Sequence, residues 1–426
     1  MKYFGTDGIR GDSDRVKQLA YSLGVVVGER GCVIVGRDPR TSSFDIEKEL
    51  VRGLLAGGAR VGVVGIVPTP ALHYLAKKHK ADIAVMITAS HNPPSYNGLK
   101  VMVTDGKLTR DEEEDLDNRL DKEIKSPSHE RLGGKVEILS GGVREYKRHV
   151  VSLFRHLNLP DLDKRIYLDT AHGCFSYIAK DVLETLGADV TAYNNDHDGA
   201  KINVDCGATH ADDFALSLPQ NAIGFAFDGD GDRVMSVVDR KVYDGDQMLY
   251  NLARHYKKKG MGQKEVVGTI MTGGGVEKAL SKEGISLVRT DVGDKYILQE
   301  MKNRGLLLGG ERSGHIIIGD KGETGDGLVT ALSFLECFMA ENLKKVREFK
   351  TENYRLEHRN PKEYYNSAEF QKSIEGARDG IGEKGRLIVR PSGTENCIRI
   401  TVEVYDSKLE YEKIVKNNLF SKTYKK

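Results

Sequence analysis

The stretch Ala222-Ile-Gly-Phe-Ala-Phe-Asp-Gly-Asp-Gly-Asp232 places three aspartates within five residues, directly after an apolar, strand-like run. Three carboxylates this close repel one another, at roughly 3 kcal/mol for each pair at ~5 Å and an effective dielectric of ~20. A cation relieves that repulsion, and oxygen ligands on a short loop suit a hard divalent ion, most often Mg²⁺. The two intervening glycines allow the tight turn that aims Asp228, Asp230 and Asp232 inward.

Other loops with clustered aspartates fit this stretch less well. An acidic surface turn is disfavoured because apolar runs flank the loop on both sides, at 222–227 and 234–238. An EF-hand loop needs Gly at its sixth position and usually Glu at its twelfth, where this chain has Arg233 and Asp239. A haloacid-dehalogenase-type site would carry a D-x-D-x-T pattern, whose threonine is absent here. A divalent-metal loop is therefore the preferred interpretation.

The composition argues against several classes of function. The chain has 426 residues, 64 basic and 63 acidic, so its formal net charge of +1 gives no field that would recruit nucleic acid or a membrane. Five scattered cysteines without a C-x-x-C pair are typical of reduced thiols in a cytosol. The sequence shows no apolar signal region and no 18-residue apolar run. We therefore expect a cytoplasmic protein without nucleic-acid or membrane partners.

A pattern of strand, helix, glycine turn and further strands occurs three times along the chain. In each occurrence the last strand leads into a polar, Gly-rich motif, and these last strands are predicted at 82–87, 222–227 and 306–308. Strands that alternate with helices predict α/β units with mixed, mainly parallel sheets. Because ligands bind beyond the carboxyl ends of such strands, three similar units could turn their motifs toward one central cleft.

The C-terminal part of the chain follows a different pattern. A strand at 386–390 and a returning strand with four apolar residues at period two predict a smaller α+β domain. The acidic run at 111–117 is interpreted as a solvated helix face. We therefore expect four domains, at 1–140, 141–241, 242–349 and 350–426.

Ser90 lies in Thr88-Ala-Ser-His-Asn-Pro-Pro94, between a predicted strand and a rigid Pro-Pro pair. A serine needs activation to act as a nucleophile, and no G-x-S-x-G elbow indicates acyl transfer. A metal ion could activate Ser90, or Ser90 could carry a phosphoryl group whose oxygen completes the metal shell. Three aspartates and a phosphoserine outweigh Mg²⁺ by roughly three negative charges, so cations must stand nearby. The candidates are Arg10, Lys100 and Arg233. A turn-forming hydroxyl is the alternative for the serine alone.

The segment Gly310-Glu-Arg-Ser-Gly-His315 ends the third unit. Glu311 and Ser313 offer acceptors suited to vicinal sugar hydroxyls. His315 could act as a general acid or base near neutral pH, or it could be a satisfied structural residue.

The segment Arg390-Pro-Ser-Gly-Thr394, with Arg399 on the returning strand, is typical of a phosphate clamp. The hydroxyls of Ser392 and Thr394, backbone N–H groups around Gly393 and two guanidiniums would converge on one anion. A plain hairpin turn is the alternative.

Two further loops admit simpler interpretations. Arg37-Asp-Pro-Arg-Thr-Ser42 opens a predicted helix and is interpreted as a helix cap or an anion site. Thr272-Gly-Gly-Gly275 lacks the G-x-G-x-x-G spacing of a dinucleotide site and is interpreted as structural.

Taken together, these residues resemble the α-D-phosphohexomutase superfamily along essentially the whole chain. Its motifs occur in family order as the serine loop at Ser90, the metal loop at 228–233, the sugar loop at 310–315 and the phosphate loop at 390–394. Within the superfamily the sequence is most similar to the phosphoglucosamine mutase branch. The segments that carry this similarity are Lys2-Tyr-Phe-Gly-Thr-Asp-Gly-Ile-Arg-Gly11, Ile202-Asn-Val-Asp-Cys-Gly-Ala-Thr209, Val292-Gly-Asp-Lys-Tyr296 and Thr324-Gly-Asp-Gly327. The chain departs from that branch at Arg312, where Gln is usual, and at Asn396-Cys397, where Pro-Leu is usual.

The resemblance implies an isomerase that interconverts glucosamine 6-phosphate and glucosamine 1-phosphate through a phosphoserine and a 1,6-bisphosphate, feeding UDP-N-acetylglucosamine synthesis. It also implies one Mg²⁺ per chain, glucosamine 1,6-bisphosphate or glucose 1,6-bisphosphate as activator, and a monomer or homodimer. The implied catalytic residues are Ser90, Arg10, His91, Lys100 and His315. The implied metal ligands are Ser90, Asp228, Asp230 and Asp232. The implied substrate-binding residues are Arg233, Lys295, Glu311, Ser313, Arg390, Ser392, Gly393, Thr394 and Arg399.

Three other functions stay open at this point. Phosphoglucomutase or phosphomannomutase would keep the chemistry and change the sugar. A Mg²⁺-dependent phosphohydrolase would release phosphate without forming an isomer, and a non-catalytic phosphosugar-binding protein would show no phosphoserine turnover.

Overall fold

The computed structural model describes residues 1–5, 8–104, 106–127, 134–261, 264–392 and 396–420. The chain divides into two compact units, Met1–Thr269 with Leu287–Lys345, and Ile270–Ser286 with Val346–Lys426. The predicted boundaries of four domains stay a prediction. Within the described ranges, no helix has both the length and the apolar character needed to cross a membrane.

The first sheet of the first unit is parallel from β5 to its β8 edge and antiparallel toward its β1 edge. Its strands are β1 (Phe4–Gly5), β2 (Gly8–Asp12), β3 (Cys32–Arg37), β4 (Arg60–Ile66), β5 (Ile83–Ile87), β6 (Tyr96–Val103), β7 (Gly106–Lys107) and β8 (Lys135–Ile138). Its helices are α1 (Ser13–Gly28), α2 (Ser43–Ala56), α3 (Thr69–Lys78) and α4 (Arg110–Lys125). The strand order is β1-β2-β6-β5-β3-β4-β8, with β7 beside β6. Strands β5, β3, β4 and β8 run parallel, as the alternation of strands and helices predicts.

The second sheet carries the acidic loop. Its strands are β9 (Ile166–Asp169), β10 (Val190–Tyr193), β11 (Ile223–Phe227), β12 (Val234–Val238) and β13 (Lys241–Tyr243), in the order β10-β9-β11-β12-β13. Its helices are α5 (Gly142–Phe154), α6 (Ile178–Thr185) and α7 (Ala211–Ser217), with 3₁₀ turns at Leu159–Asp161 and Ala208–His210. Strands β10, β9 and β11 are parallel, whereas β12 and β13 return antiparallel. The loop between β11 and β12 holds the three aspartates.

The third sheet has the order β15-β14-β16-β17. Its strands are β14 (Glu265–Thr269), β15 (Ser286–Thr290), β16 (Leu308–Gly310) and β17 (Ile316–Ile318), and the helices in this part of the chain are α8 (Gly245–Lys258), α9 (Gly274–Lys282), α10 (Asp294–Arg304) and α11 (Gly327–Ala340). The strand predicted at 306–308 is found two residues further along the chain, since β16 begins at Leu308 and includes Gly309 and Gly310. A Cβ at Gly309 would lie 2.5 Å from Ile297 and 2.6 Å from Met301 of α10, so only glycine fits this strand position.

The second unit contains an antiparallel sheet with the order β18-β20-β19. Its elements are β18 (Lys350–Glu357), α12 (Pro361–Tyr365), α13 (Ala368–Ile381), a 3₁₀ turn at Gly382–Lys384, β19 (Gly385–Pro391), β20 (Cys397–Val404), α14 (Tyr411–Val415) and a π-helical turn at Lys416–Phe420. The apolar residues at period two on β20 are all buried against α13, which confirms the predicted small α+β fold. Helix α9 belongs to this unit, and the Gly274 N–H donates to Glu403 at 3.1 Å.

The glycine run before α9 has a packing role. A Cβ at Gly275 would lie 2.2 Å from the carbonyl oxygen of Arg347, and one at Gly274 would lie 2.3 Å from the Tyr405 hydroxyl. The structure therefore supports the interpretation of this loop as structural.

The acidic face of α4 is only partly solvated, which corrects the expectation for 111–117. Asp117 is 4% exposed and accepts the backbone N–H groups of Lys2, Tyr3 and Phe4 at 2.6, 2.7 and 2.8 Å. These hydrogen bonds outweigh burial and lower the pKa of the Asp117 carboxyl. The helix therefore anchors the N-terminal strand through a buried carboxylate.

We expect Asp117→Ala to release this strand, because three backbone donors lose their acceptor at a total cost of about 2–4 kcal/mol. Amide hydrogen exchange at residues 2–4 should then accelerate by roughly 30-fold or more. Asp115→Ala on the same helix is the control, since Asp115 is exposed and its ion pairs with Arg30 and Arg119 are both 3.8 Å long. Equal exchange in both variants would show that Asp117 does not anchor the strand.

Candidate active site

The acidic loop follows β11 and is almost completely buried. Asp228, Asp230 and Asp232 are 1, 0 and 3% exposed, and one oxygen of each lies within 4.8 Å of the others. Gly231 turns the loop at φ +75°, and a Cβ there would lie 2.5 Å from the Phe175 ring. This turn directs the three carboxylates into one small volume.

Ser90 follows β5 and reaches this loop. Its hydroxyl donates to Asp228 Oδ2 at 2.7 Å, although 138 positions separate the two residues. Ser90 adopts φ +53°, a left-handed conformation that is uncommon for a residue with a side chain. Its backbone N–H donates to the Thr88 hydroxyl at 2.9 Å, which helps to hold this conformation.

Arg40 fixes the serine loop from behind. Its guanidinium is 1% exposed and donates to the carbonyl oxygens of Ser90 at 2.9 Å, Asn92 at 2.8 Å and Tyr96 at 3.1 Å. The same side chain donates to Asp38 Oδ2 at 2.8 Å. The segment 37–42 therefore positions Ser90. The sequence analysis interpreted this segment as a helix cap or an anion site and did not predict this positioning role. Helix α2 receives no side-chain cap from Ser42.

Asn203 supplies a second support for the same loop. Its side-chain amide donates to the carbonyl oxygens of Ser90 at 2.8 Å and Asn92 at 3.2 Å. Asn203 belongs to the segment 202–209 that carries the resemblance, but nothing in its spacing indicated this contact.

Lys100 and Thr69 hold the acidic loop. Lys100 Nζ donates to Asp230 Oδ2 at 2.8 Å and to Asp232 Oδ2 at 3.0 Å, and it is 2% exposed. Thr69, at the start of α3, donates its hydroxyl to Asp230 Oδ2 at 2.6 Å and its N–H to the Asp230 carbonyl at 2.9 Å. Sequence reasoning proposed Lys100 as a nearby cation but gave no signal for Thr69.

The donor set fits a divalent cation. Asp230 Oδ1 and Asp232 Oδ1 are buried and accept no hydrogen bond from the described residues. Unsatisfied buried carboxylate oxygens are costly, and a hard ion that prefers oxygen ligands would satisfy them. Asp228, Asp230 and Asp232 can therefore hold such an ion, with the Ser90 oxygen beside them.

The electrostatics of the three carboxyls differ. Burial and the charges of Asp232 and Asp230 raise the pKa of Asp228 well above its usual range. Burial opposes ionisation of Asp232 as well, but Lys100 and His315 outweigh it and hold the pKa of Asp232 well below its usual range. Arg233 lowers the pKa of both carboxyls but does not offset burial at Asp228, so the carboxyl next to Ser90 gains most from a further cation.

His315 lies against the acidic loop. It is 2% exposed, with Nδ1 at 3.8 Å from Asp232 Oδ2 and Nε2 at 3.5 Å from Asp294 Oδ2. Burial favours the neutral ring, yet the two aspartates raise its pKa. His315 therefore adds positive charge beside the carboxylates.

His91 lies on the other side of the serine hydroxyl. Its Nδ1 is 3.4 Å from Ser90 Oγ and 3.2 Å from Arg233 Nη1. Burial, Arg233 and Arg10 lower the pKa of His91 to about 4, so the ring is neutral near pH 7. Because Arg233 can only donate, Nδ1 of His91 is an acceptor.

The predicted sugar loop follows β16. Glu311 Oε1 accepts the N–H of Gly293 at 3.0 Å, and the buried Ser313 hydroxyl has no hydrogen-bond partner within the described ranges. Lys295 Nζ forms an ion pair of 2.6 Å with Glu113 of α4, one of the buried acids in the run at 111–117.

The predicted phosphate loop belongs to the second unit. Arg390 on β19 and Arg399 on β20 are directly opposed in the antiparallel register. Their side chains therefore project from the same face of the sheet. Ser392 donates its N–H to the Cys397 carbonyl at 2.8 Å, whereas Gly393 and Thr394 lie outside the described residues.

Comparisons with known proteins point to one family. The family model "Phosphoglucomutase/phosphomannomutase, alpha/beta/alpha domain I" matches residues 1–126. The models for alpha/beta/alpha domain III and for the C-terminal domain of the same family match residues 244–355 and 343–417.

Full-length relatives carry a common name. A "Phosphoglucosamine mutase" from Thermotoga neapolitana is 42% identical over 423 residues, which cover 95% of this chain and 96% of the relative. A protein of the same name from Carboxydothermus hydrogenoformans is 37% identical over 436 residues, which cover 96% and 97%.

Solved structures share the fold. A phosphoglucomutase/phosphomannomutase family protein from Burkholderia thailandensis superposes with a TM-score of 0.81 at 22% identity, covering 98% of this chain and 97% of that one. The Aspergillus fumigatus N-acetylphosphoglucosamine mutase, solved with GlcNAc-6P and magnesium, has a TM-score of 0.68 at 15% identity, with coverages of 97% and 94%.

We expect Asp230→Asn to weaken divalent-ion binding by roughly tenfold or more, because affinity at oxygen sites follows the charge of the ligands. Titration with Mn²⁺, followed by electron paramagnetic resonance, measures the bound ion without any reaction. Asp212→Asn, at an exposed position of α7, is the matched control. Wild-type affinity in Asp230→Asn would show that the loop does not bind the ion.

We expect Arg40→Lys to loosen the serine loop, because an ammonium cannot reproduce the forked contacts of a guanidinium. The variant keeps the charge but leaves buried carbonyl oxygens without a donor, at about 1–3 kcal/mol for each, so amide exchange over residues 88–97 should accelerate at least tenfold. Arg52→Lys, at a side chain 66% exposed, should behave like wild type. Unchanged exchange in Arg40→Lys would contradict the positioning role.

Proposed function

Because the chain belongs to the phosphoglucomutase/phosphomannomutase family, we propose that it is a phosphoglucosamine mutase that interconverts glucosamine 6-phosphate and glucosamine 1-phosphate. The hydrogen bond of 2.7 Å from Ser90 to Asp228 is the observation that carries this proposal. It places a hydroxyl that can carry a phosphoryl group against a loop that can hold a divalent ion.

In the proposed resting enzyme Ser90 carries the phosphoryl group, and Asp228, Asp230 and Asp232 are the residues that would hold Mg²⁺ beside it. When bound, the ion would neutralise charge on the loop and polarise the transferring group. The phosphoryl group passes from Ser90 Oγ to O1 of glucosamine 6-phosphate, which gives the 1,6-bisphosphate, and the proton that O1 loses ends on the Ser90 hydroxyl. The 6-phosphoryl group then returns to Ser90, and glucosamine 1-phosphate leaves.

Side chains of the protein balance the negative charge of the acidic loop and surround the serine hydroxyl. Lys100 and His315 balance the acidic loop, since each lies beside Asp232. When Ser90 accepts a phosphoryl group, its proton needs an acceptor. In the overall transfer this proton ends on O6, the sugar oxygen that releases its phosphoryl group. His91 lies beside the hydroxyl, with Nδ1 at 3.4 Å from Ser90 Oγ, but its Nδ1 accepts from Arg233 and its pKa is lowered to about 4, so His91 is a neighbour of the reacting oxygen and not its base.

The remaining predicted residues recognise the sugar phosphate. Glu311 and Ser313 offer acceptors for sugar hydroxyls or for the amino group. Arg10, Arg233 and Lys295 add positive charge in the same unit. The proposed phosphate contacts of the second unit are Arg390, Ser392, Gly393, Thr394 and Arg399. The opposed arginines on β19 and β20 support this assignment, because planar guanidiniums bind phosphate in a bidentate manner.

The proposal includes a cytoplasmic location and an activating 1,6-bisphosphate of glucosamine or glucose. The cysteines of the described residues form no disulfide, which is in keeping with a reducing compartment.

One observation favours a second candidate with a different sugar. Arg312 stands in the sugar loop where related glucosamine enzymes usually carry Gln, and its Nε lies 3.0 Å from Asp244 Oδ2. A phosphoglucomutase or phosphomannomutase would use the same serine and metal loops. Only the relative rates with different sugars separate these two candidates.

We expect kcat/KM for glucosamine 6-phosphate to exceed that for glucose 6-phosphate or mannose 6-phosphate by at least tenfold. A coupled assay of the 1-phosphate product, with Mg²⁺ and catalytic bisphosphate, measures this ratio. A higher value for glucose or mannose would overturn the sugar assignment. Steady release of inorganic phosphate without an isomer would instead identify a phosphohydrolase.

A labelling experiment tests the assignment of Ser90 as the residue that carries the phosphoryl group. Ser90→Ala should abolish labelling of the enzyme by a ³²P-labelled sugar bisphosphate and reduce turnover by several orders of magnitude. Ser373→Ala, at a partly exposed position of α13, should label like wild type. Labelling that survives in Ser90→Ala would place the phosphoryl group on another residue.

A further inference from the structure

A cavity of about 410 Å³ lies in the first unit and includes none of the serine, metal or sugar-loop residues named above. Its walls come from α3, α5, β17, the segment 319–324 and the beginning of α11. This volume is within the range of small-molecule sites in proteins. The cavity therefore has room for one small ligand.

A buried and unsatisfied polar atom lies in its wall. His73 is 4% exposed, and its Nε2 has no hydrogen-bond partner in the described part of the chain. Burial lowers the pKa of His73 to about 4, so the ring is neutral and offers one donor and one acceptor. His73 therefore adds a neutral aromatic ring to the wall of the cavity.

Aromatic rings form the side of the cavity. Tyr74 stacks on His149 with a centroid distance of 4.3 Å and an interplanar angle of 14°. Tyr146 meets Tyr74 edge to face at 6.4 Å. Such a wall favours a planar ring, because aromatic surfaces bury a large apolar area in defined geometries.

Three lysines also line the cavity, and each forms an ion pair there or at its edge. Lys77 and Lys78 pair with Glu323 and Glu145 at 2.9 and 2.8 Å, with about half of each lysine side chain exposed. Exposed ion pairs of this kind contribute about 0–1 kcal/mol, so an anionic group can replace them at little cost. Lys321 adds a third ammonium in the lining.

The helices around the cavity also hold the metal loop. Helix α3 begins at Thr69, which donates two hydrogen bonds to Asp230. Helix α11 begins at Gly327, whose N–H donates to the Gly231 carbonyl at 3.0 Å. Its capping residue Asp326 accepts the Tyr146 hydroxyl at 2.8 Å within the cavity lining. The same two helix ends therefore contact the cavity and the metal loop.

We propose that this cavity binds a planar heterocycle with an anionic group, of the size of a nucleoside monophosphate, and that the bound ligand changes the divalent-ion affinity of the acidic loop. This regulation goes beyond the proposed reaction and does not depend on which sugar the enzyme uses. By linkage, an ion on the loop changes the affinity for the ligand by the same factor.

The test uses the full chain with uridine 5′-monophosphate, adenosine 5′-monophosphate, the two nucleosides and inorganic phosphate as probes in calorimetric titrations. Gly322 lines the cavity, and a Cβ there would meet no heavy atom within 4 Å, so Gly322→Trp can fill the space. Gly322→Ala is the matched control. We expect a monophosphate to bind wild type and Gly322→Ala equally, and Gly322→Trp at least tenfold more weakly.

Binding of none of these probes, or equal binding in Gly322→Trp, would overturn the site. Binding of inorganic phosphate as tight as that of the monophosphates would overturn the role of the aromatic wall. Mn²⁺ titration by electron paramagnetic resonance tests the coupling, with an expected shift of at least threefold when the monophosphate is present. Unchanged Mn²⁺ affinity when the monophosphate is bound to wild type would overturn the coupling. A far-UV circular dichroism spectrum of ligand-free Gly322→Trp equal to that of wild type shows that this variant is folded.

Discussion

Repulsion among Asp228, Asp230 and Asp232 is the constraint on which the site depends. The chain buries all three carboxyls in one loop and meets part of their charge through Lys100, His315 and Arg233, whose Nε lies 3.6 Å from Asp232 Oδ1. Two of their oxygens accept no hydrogen bond from the described residues. A loop of this kind is stable only with additional positive charge, and a divalent ion supplies that charge where the serine hydroxyl arrives.

The site also depends on the strained backbone position of Ser90, which other residues must hold in place. A left-handed backbone at a serine costs of order 1–3 kcal/mol and persists only where the surroundings hold it. Arg40 and Asn203 do so by binding carbonyl oxygens of the loop, which leaves the hydroxyl directed at Asp228. Phosphoryl transfer gains from such positioning, since it reduces the entropy lost on the way to the transition state.

The sequence predicted the fold and the approach of the serine loop to the acidic loop because their signals are local. Apolar runs that lead into polar loops define β5 and β11, and each loop lies at the carboxyl end of its strand, although the two strands belong to different sheets. The residues that sequence reasoning missed act at long range. Thr69 and Asp230 are 161 positions apart, and Arg40 binds backbone carbonyls, which no residue pattern identifies. The acidic run on α4 was misinterpreted for the same reason, because the partners of Asp117 are backbone N–H groups of the distant N-terminus.

Crystals of the Ser90-phosphorylated enzyme grown with Mn²⁺ test the central claim most directly, since anomalous scattering locates the ion. The account predicts one strong peak within about 2.0–2.4 Å of an oxygen of each loop aspartate and of a phosphoserine oxygen. A fully phosphorylated enzyme with no anomalous peak at the loop, and with Asp230 Oδ1 and Asp232 Oδ1 still unsatisfied, would contradict it.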